Sequence, residues 1–263
     1  MPYTFLKPKT TNVLADTWNI VKNKWYFWLP IPLTYFFYPL IAISIIIFAM
    51  TYSQVRESFW KEFAQINGWQ YQENAETQFF GSSPLLETEQ GLMFKEGHGR
   101  NVANQINGMI DNRLFRLFNY QFTIGSGKSR TIYHYTVFAF KFIGSCPHIY
   151  LNNRSNSWSL EIGEKIPLPK EFEDKFSLMA PKEYEIEALE IFTPDILVKL
   201  LESDFPYDVE FVNQEIIVFA DGQINDFPSL EKSFNQALVL NDLLASKLDK
   251  FKFEKIGDRT ASL

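Results

Sequence analysis

The sequence predicts an α+β protein with an N-terminal transmembrane helix, a β-rich antiparallel region, and a helix-strand-strand-helix C-terminal part. Three observations carry this. An uncharged stretch of 31 residues runs from Trp25 to Val55, closed by Lys24 and Arg56. Aromatic residues make up 17% of the chain, a bias toward strands and membrane interfaces. Hydrophobic periodicity then switches from two in the middle of the chain to helical spacing near its end.

The uncharged stretch would be about 46 Å long as a helix at ~1.5 Å per residue, more than the ~30 Å of a hydrocarbon core. The best single span is Ile31 to Tyr52, within a membrane segment of residues 25–55. Trp25 and Trp28 are expected at the lipid–water interface, where amphipathic rings settle. Pro30, Pro32 and Pro39 disfavour regular helix in the first third. A hairpin of two spans would need roughly 40 apolar residues, and a buried core helix is normally shorter than this stretch. The apolar part begins too late for a secretory signal and lacks a small-residue cleavage site. Lys7, Lys9, Lys22 and Lys24 precede the span, and Arg56 and Lys61 follow it. The positive-inside rule therefore favours a single-pass protein of the cell membrane, N-terminus inside and main domain outside.

Before the span, residues 1–24 form an N-terminal segment whose Val13, Leu14, Trp18 and Val21 suit an interfacial helix. After it, residues 56–71 read as a juxtamembrane helix with Phe59, Trp60, Phe63 and Ile66 as its stripe, stopped at Asn67-Gly68. Residues 72–92 read as a loop. An α+β soluble domain is expected over 90–263. Leu114 to Ile124 alternates as a strand, Gly125 to Arg130 supplies a turn, and Thr131 to Phe142 returns as a second strand. His148–Leu151 and Trp158–Ile162 are further expected strands. Pro169–Phe176 suggests a short helical segment. Thr193-Pro194-Asp195 is a helix start with Thr as N-cap. Tyr207–Phe211 and Gln214–Ala220 read as two strands around Asn213, and Ser229–Phe251 as an amphipathic helix.

Composition excludes several function classes. A net charge of −6 argues against nucleic acid as a partner. The single Cys146 excludes an intramolecular disulfide framework and a multi-thiolate zinc site. Gly127-Lys128-Ser129 lacks the earlier glycine of a phosphate loop and precedes a strand. Cys146 and His148, two apart, share a face on a regular strand, but little else supports a nucleophile and base there. His98, His134 and His148 lack a metal-binding spacing, so no metal or other cofactor is expected. Asn153-Arg154-Ser155 forms a glycosylation triplet. Residues 161–226 hold 17 acidic and 5 basic residues, a net of −12, which reads as a solvated face. Arg113, Arg116, Lys128 and Arg130 are the candidate contacts for an anionic lipid or a partner, although Arg113 and Arg116 point to opposite faces of one strand.

A set of segments resembles a bacterial membrane-anchored domain-of-unknown-function family. They are Phe172-Glu173-Asp174-Lys175-Phe176, Tyr184 to Leu189, Phe192-Thr193-Pro194-Asp195-Ile196-Leu197, Asp208-Val209-Glu210-Phe211 and Ile216-Ile217-Val218-Phe219. The likeness covers about residues 90–220. It departs before the Thr-Pro pair, where this chain has Leu189-Glu190-Ile191 in place of Ala-Arg-Tyr. It implies one or two N-terminal spans followed by an α+β domain, and it carries no catalytic residues with it. The expected function is accordingly that of a membrane-tethered interaction or scaffold module, with the lipid bilayer and a membrane protein as partners. The alternatives are a membrane-bound enzyme with its site in the aromatic β region and a module that contacts anionic lipid.

Overall fold

The computed structural model describes residues 2–28, 40–74, 91–156, 158–160 and 163–248. Seven strands form one antiparallel sheet. They are β1 (Gln70–Asn74), β2 (His98–Ile110), β3 (Arg113–Ile124), β4 (Thr131–Asn153), β5 (Glu164–Ile166), β6 (Phe176–Ala180) and β7 (Asp208–Asp221). The hydrogen-bonded order is β1-β2-β3-β4-β6-β5, with β7 pairing β4. The helices are α1 (Val13–Val21), α2 (Trp25–Trp28), α3 (Leu40–Ile66), α4 (Lys170–Glu173), α5 (Glu185–Ile191), α6 (Pro194–Glu202) and α7 (Phe227–Leu248).

The hub is β4, which is 23 residues long. Its first half lies between β3 and β7, with Phe140 opposite both Phe115 and Ile216. Its second half lies between β6 and β7, with Tyr150 opposite Met179 and Glu210. The two strands expected over 131–151 are therefore one strand. Register shifts on either side of Cys146 show where it is bulged, beside Pro147, whose ring denies the ladder a donor. Likewise β7 is one strand where two were expected. Asn213, with φ of 53°, is an irregularity inside it and not a hairpin turn. Asn adopts the left-handed region more readily than other non-glycine residues, which allows either outcome.

The first sheet face carries the main core. Phe115, Leu117, Phe138, Phe140, Ile216 and Val218 pack there against Phe59 and Phe63 of α3 and Leu230, Phe234 and Leu244 of α7. Phe234 is the centre of an aromatic cluster. Its ring lies 4.7 Å from Phe5, 5.1 Å from Phe115 and 5.4 Å from Phe138, centroid to centroid. The second face carries a smaller core of Val102, Phe118, Tyr120, Phe122, Tyr135, Val137 and Phe219. It is covered by a single turn, Leu92–Lys95, whose Phe94 packs on Tyr120 at 4.9 Å. Both faces of β3 are thus covered, so Asn119 and Thr123 on its expected polar positions are buried as well.

Three organisational expectations change. The juxtamembrane helix is not separate: α3 runs unbroken from Leu40 to Ile66, and Gly68, at φ of 75°, ends it. The apolar first half and the amphipathic second half are continuous because no helix breaker lies between them. The main core is not confined to residues after 90, since Phe5, Val13, Val55, Phe59, Trp60 and Phe63 are buried in it. Finally, among the described residues no helix is long and apolar enough to cross a membrane. Residues 31–39 of the expected span lie outside the described residues. The C-terminal part is helix, one long strand, helix. Smaller corrections follow. Residues 158–160 are not in a strand, and Phe176–Ala180 forms the unforeseen β6, whereas the helical turn expected within Pro169–Phe176 is present as α4.

Candidate functional site

Two regions of the molecule have unusual chemistry, and the first is its N-terminal end. Asn12 caps α1 by accepting a hydrogen bond from the Ala15 amide at 2.9 Å. The helix buries Val13, Thr17 and Val21, which leaves Leu14, Trp18 and Ile20 facing out. Ser44 of α3 donates to the Phe27 carbonyl at 2.9 Å and ties α2 to α3. The Trp28 indole donates to the Lys22 carbonyl at 2.8 Å, and Trp18 lies edge-on to Phe27 and Trp28 at 6.4 and 5.9 Å. Trp25 is 73% exposed, Met50 61% and Ile45 62%. Trp28, Ile43 and Ile46 are also exposed. Scattered apolar residues on a surface are ordinary, but here the exposed ones are gathered on three helices, α1, α2 and α3. Lys24 sits over the Tyr26 ring, 5.8 Å from its centroid, at the edge of that layer.

The second region is a polar seam buried on the second sheet face. The register sets Glu210 opposite Tyr150 and Glu215 opposite Lys141, and Asp208 shares the face of Glu210. Asp208 and Glu210 are completely buried and Glu215 nearly so. The acidic stretch is therefore not wholly a solvated face. Glu210 Oε1 accepts the Leu92 amide at 2.6 Å and meets His148 Nε2, so one carboxylate holds both the covering turn and the bulged strand. Gly91 makes this approach workable: a Cβ there would sit 3.0 Å from Glu210 Oε2. Asp208 Oδ1 accepts the Asn153 amide at 2.7 Å. Burial raises the Asp208 pKa to about 7, opposed by the Asn153 amide and by Asn156 and Tyr150 beside it. Burial also pushes the Tyr150 phenol up, and the neighbouring Asp208 and Glu210 charges push it further.

The residues singled out in the sequence are dispersed. Arg113, at the start of β3, pairs with Asp242 of α7. Arg116 is buried on the second face, opposite Ala139. Lys128 and Arg130 are exposed at the far end of the hairpin, where Gly127–Ser129 makes one tight turn. The length of β3, about 36 Å at ~3.3 Å per residue, separates them from Arg113. Trp25 and Trp28 are together on the apolar layer. Cys146 lies in the main core and burial pushes its thiol up, which leaves it a poor nucleophile. The bulge turns Cys146 and His148 to opposite faces. His98 contacts the Gly125 carbonyl at 2.8 Å, and His134 pairs with Gln223 at 3.0 Å. Among the described residues no three metal-ligating side chains are grouped. Asn153 of the glycosylation triplet is buried, with its amide on the Phe205 carbonyl at 2.9 Å.

The sequence reading missed the seam. His148 and Glu210 are 62 positions apart and only the strand register joins them. A signal existed in the acids at alternate positions of an otherwise apolar strand, Asp208 and Glu210.

No family model and no curated protein matches the chain. A solved structure is similar in fold, that of the mycobacterial trehalose monomycolate transport factor A, TtfA. The two share 13% identity at a TM-score of 0.51, over 73% of this chain and 94% of that one.

Proposed function

We propose that this protein is a membrane-tethered module that takes part in lipid transport. The observation that carries the tether is the exposed layer of Trp25, Trp28, Ile45, Ile46 and Met50. In sequence, Trp28 and α3 flank residues 29–39, the part of the 31-residue uncharged stretch that lies outside the described residues. An interfacial layer of Trp and Ile gains free energy from leaving water, at ~25 cal/mol per Å² of apolar area, and Lys24 at its edge suits an anionic headgroup. The likeness in fold to a transport factor for trehalose monomycolate supports the lipid side of the reading. Lys7, Lys9, Lys22 and Lys24 favour a cytoplasmic N-terminus.

The test is a sodium carbonate wash of membranes from cells that make the full chain. Retention in the pellet until detergent is added is the expected result. Recovery of the intact chain in the wash would overturn the tether. A membrane-retained chain whose loss leaves the lipid composition and lipid export of its host unchanged would overturn the transport role.

A further inference from the structure

The segments on either side of the uncharged stretch are fastened to the same body. Ahead of it, the Tyr3 amide donates to Asn235 Oδ1 of α7 at 2.7 Å, and Asn235 Nδ2 donates back to the Tyr3 carbonyl at 3.0 Å. Leu6 makes the same pair of bonds with Asn67, just past the end of α3, at 2.9 and 3.2 Å. The Lys9 amide donates to Glu62 of α3 at 3.1 Å, and the Val13 amide to the Asn225 carbonyl at 2.9 Å. Phe5, 3% exposed, stacks on Phe234, with Phe63 and Trp69 each 5.9 Å from its ring centroid.

Two further contacts fix the direction of the chain. The Phe227 amide donates to the Thr11 carbonyl at 2.9 Å, and the Phe227 ring lies 6.2 Å from Phe63, near the end of α3. The Phe27 carbonyl accepts from Ser44 near the start of α3. Residues 11–27 therefore run antiparallel to α3. The chain goes out toward the apolar layer on α1 and α2 and comes back on α3.

Length then decides how the stretch meets a bilayer. One crossing would put the segments before and after it on opposite faces, and the contacts of Tyr3, Phe5, Leu6 and Val13 require a single face. Two crossings need roughly 40 apolar residues, and the stretch has 31. Halved into an outgoing and a returning helical leg, it reaches about 23 Å at ~1.5 Å per residue, short of the ~30 Å of a hydrocarbon core. Extended legs would reach farther, but would carry unpaired backbone groups into lipid.

We infer that the exposed layer of α1, α2 and α3 seats the protein in one leaflet of a bilayer, with residues 2–24 and the sheet on the same face and no crossing. The inference rests on the membrane-tether reading and gives that tether its geometry.

The experiment maps sidedness in spheroplasts that make the full chain. Lys7→Cys precedes the stretch and Lys128→Cys lies at the tip of the β3–β4 hairpin, both at exposed positions. A membrane-impermeant maleimide is added before or after permeabilisation, the membranes are washed with sodium carbonate, and label is read on each peptide of the pelleted chain. The buried Cys146 reports any unfolded chain. The two sites should label within twofold of each other in both conditions, and with a cytoplasmic N-terminus both should rise at least tenfold on permeabilisation. Both sites labelled in sealed spheroplasts would keep the inference and place the body outside. One site labelled and the other protected would show a single crossing and overturn it. Label on Thr34→Cys from the face opposite Lys7→Cys would show two crossings and overturn it as well. Purified full chain should also bind protein-free vesicles of phosphatidylglycerol and phosphatidylcholine. A chain that pellets with cell membranes but not with these vesicles would assign the layer to a membrane protein instead. An empty carbonate pellet overturns the tether itself, whereas a full pellet with opposed sites overturns only the one-sided seat.

Discussion

Asp208 shows what the seam costs and why it can be measured. Its folded pKa of about 7 lies above the ordinary 3.8 of its side chain. Between those values the folded state holds a proton that the unfolded chain releases, so stability from this group is full below about pH 4 and is lost as pH rises to about 7. Asp208→Asn keeps an acceptor for the Asn153 amide and removes the titration. The variant should match wild type near pH 4 and exceed it above pH 7, by on the order of 4 kcal/mol at most. Urea melts at several pH values give the difference directly, and a difference independent of pH would contradict the assignment. A group held at such expense next to Glu210, itself the anchor of Leu92 and His148, points to a seam that fixes the register of the bulged β4.

At the scale of elements, the aromatic cluster locks α7 to the sheet. Phe5, Trp69, Phe115, Phe138 and Phe140 all lie against Phe234, with ring centroids within 6.1 Å. Phe234→Ala should cost about 3–5 kcal/mol, seen as a lower urea midpoint with an unchanged slope. A loss below 1 kcal/mol would mean that α7 is not seated as described. The elements also show which local signals decide structure. The β3–β4 hairpin was legible because alternating aromatics flank a Gly-Ser-Gly turn. The turn between β2 and β3 had its own signal, Asp111-Asn112, both at positive φ, as a tight hairpin requires. Asn213 misled because the same residue type serves turns and bulges, and only the partner strand distinguishes them. Thr193 marked the start of α6 correctly, yet its side chain turns to Asp195 and Lys247 and does not cap the helix. The candidate sites were less legible than the strands. Trp25 and Trp28 stood out from an uncharged context that is local in sequence. The seam is made by contacts between distant segments.

At the scale of the whole molecule, α3 joins the two halves of the account. Its second half buries Phe59, Trp60 and Phe63 in the body, while its first half exposes Ile45, Ile46 and Met50 beside α1 and α2. A rigid helix shared between core and apolar layer would hold the sheet at a fixed distance from a bilayer, where a flexible linker would let it wander. The six tryptophans report on this division. Trp18, Trp25 and Trp28 lie on the layer, Trp60 is fully buried, and Trp69 and Trp158 pack against the cores. The most direct measurement is tryptophan fluorescence of the full chain reconstituted in vesicles, with and without lipids brominated on their acyl chains. The account predicts strong quenching that falls by more than half in Trp25→Phe/Trp28→Phe and is unchanged in Trp60→Phe. Equal emission from brominated and ordinary vesicles would show that these rings do not reach the acyl region, and would contradict the tether on which the functional reading stands.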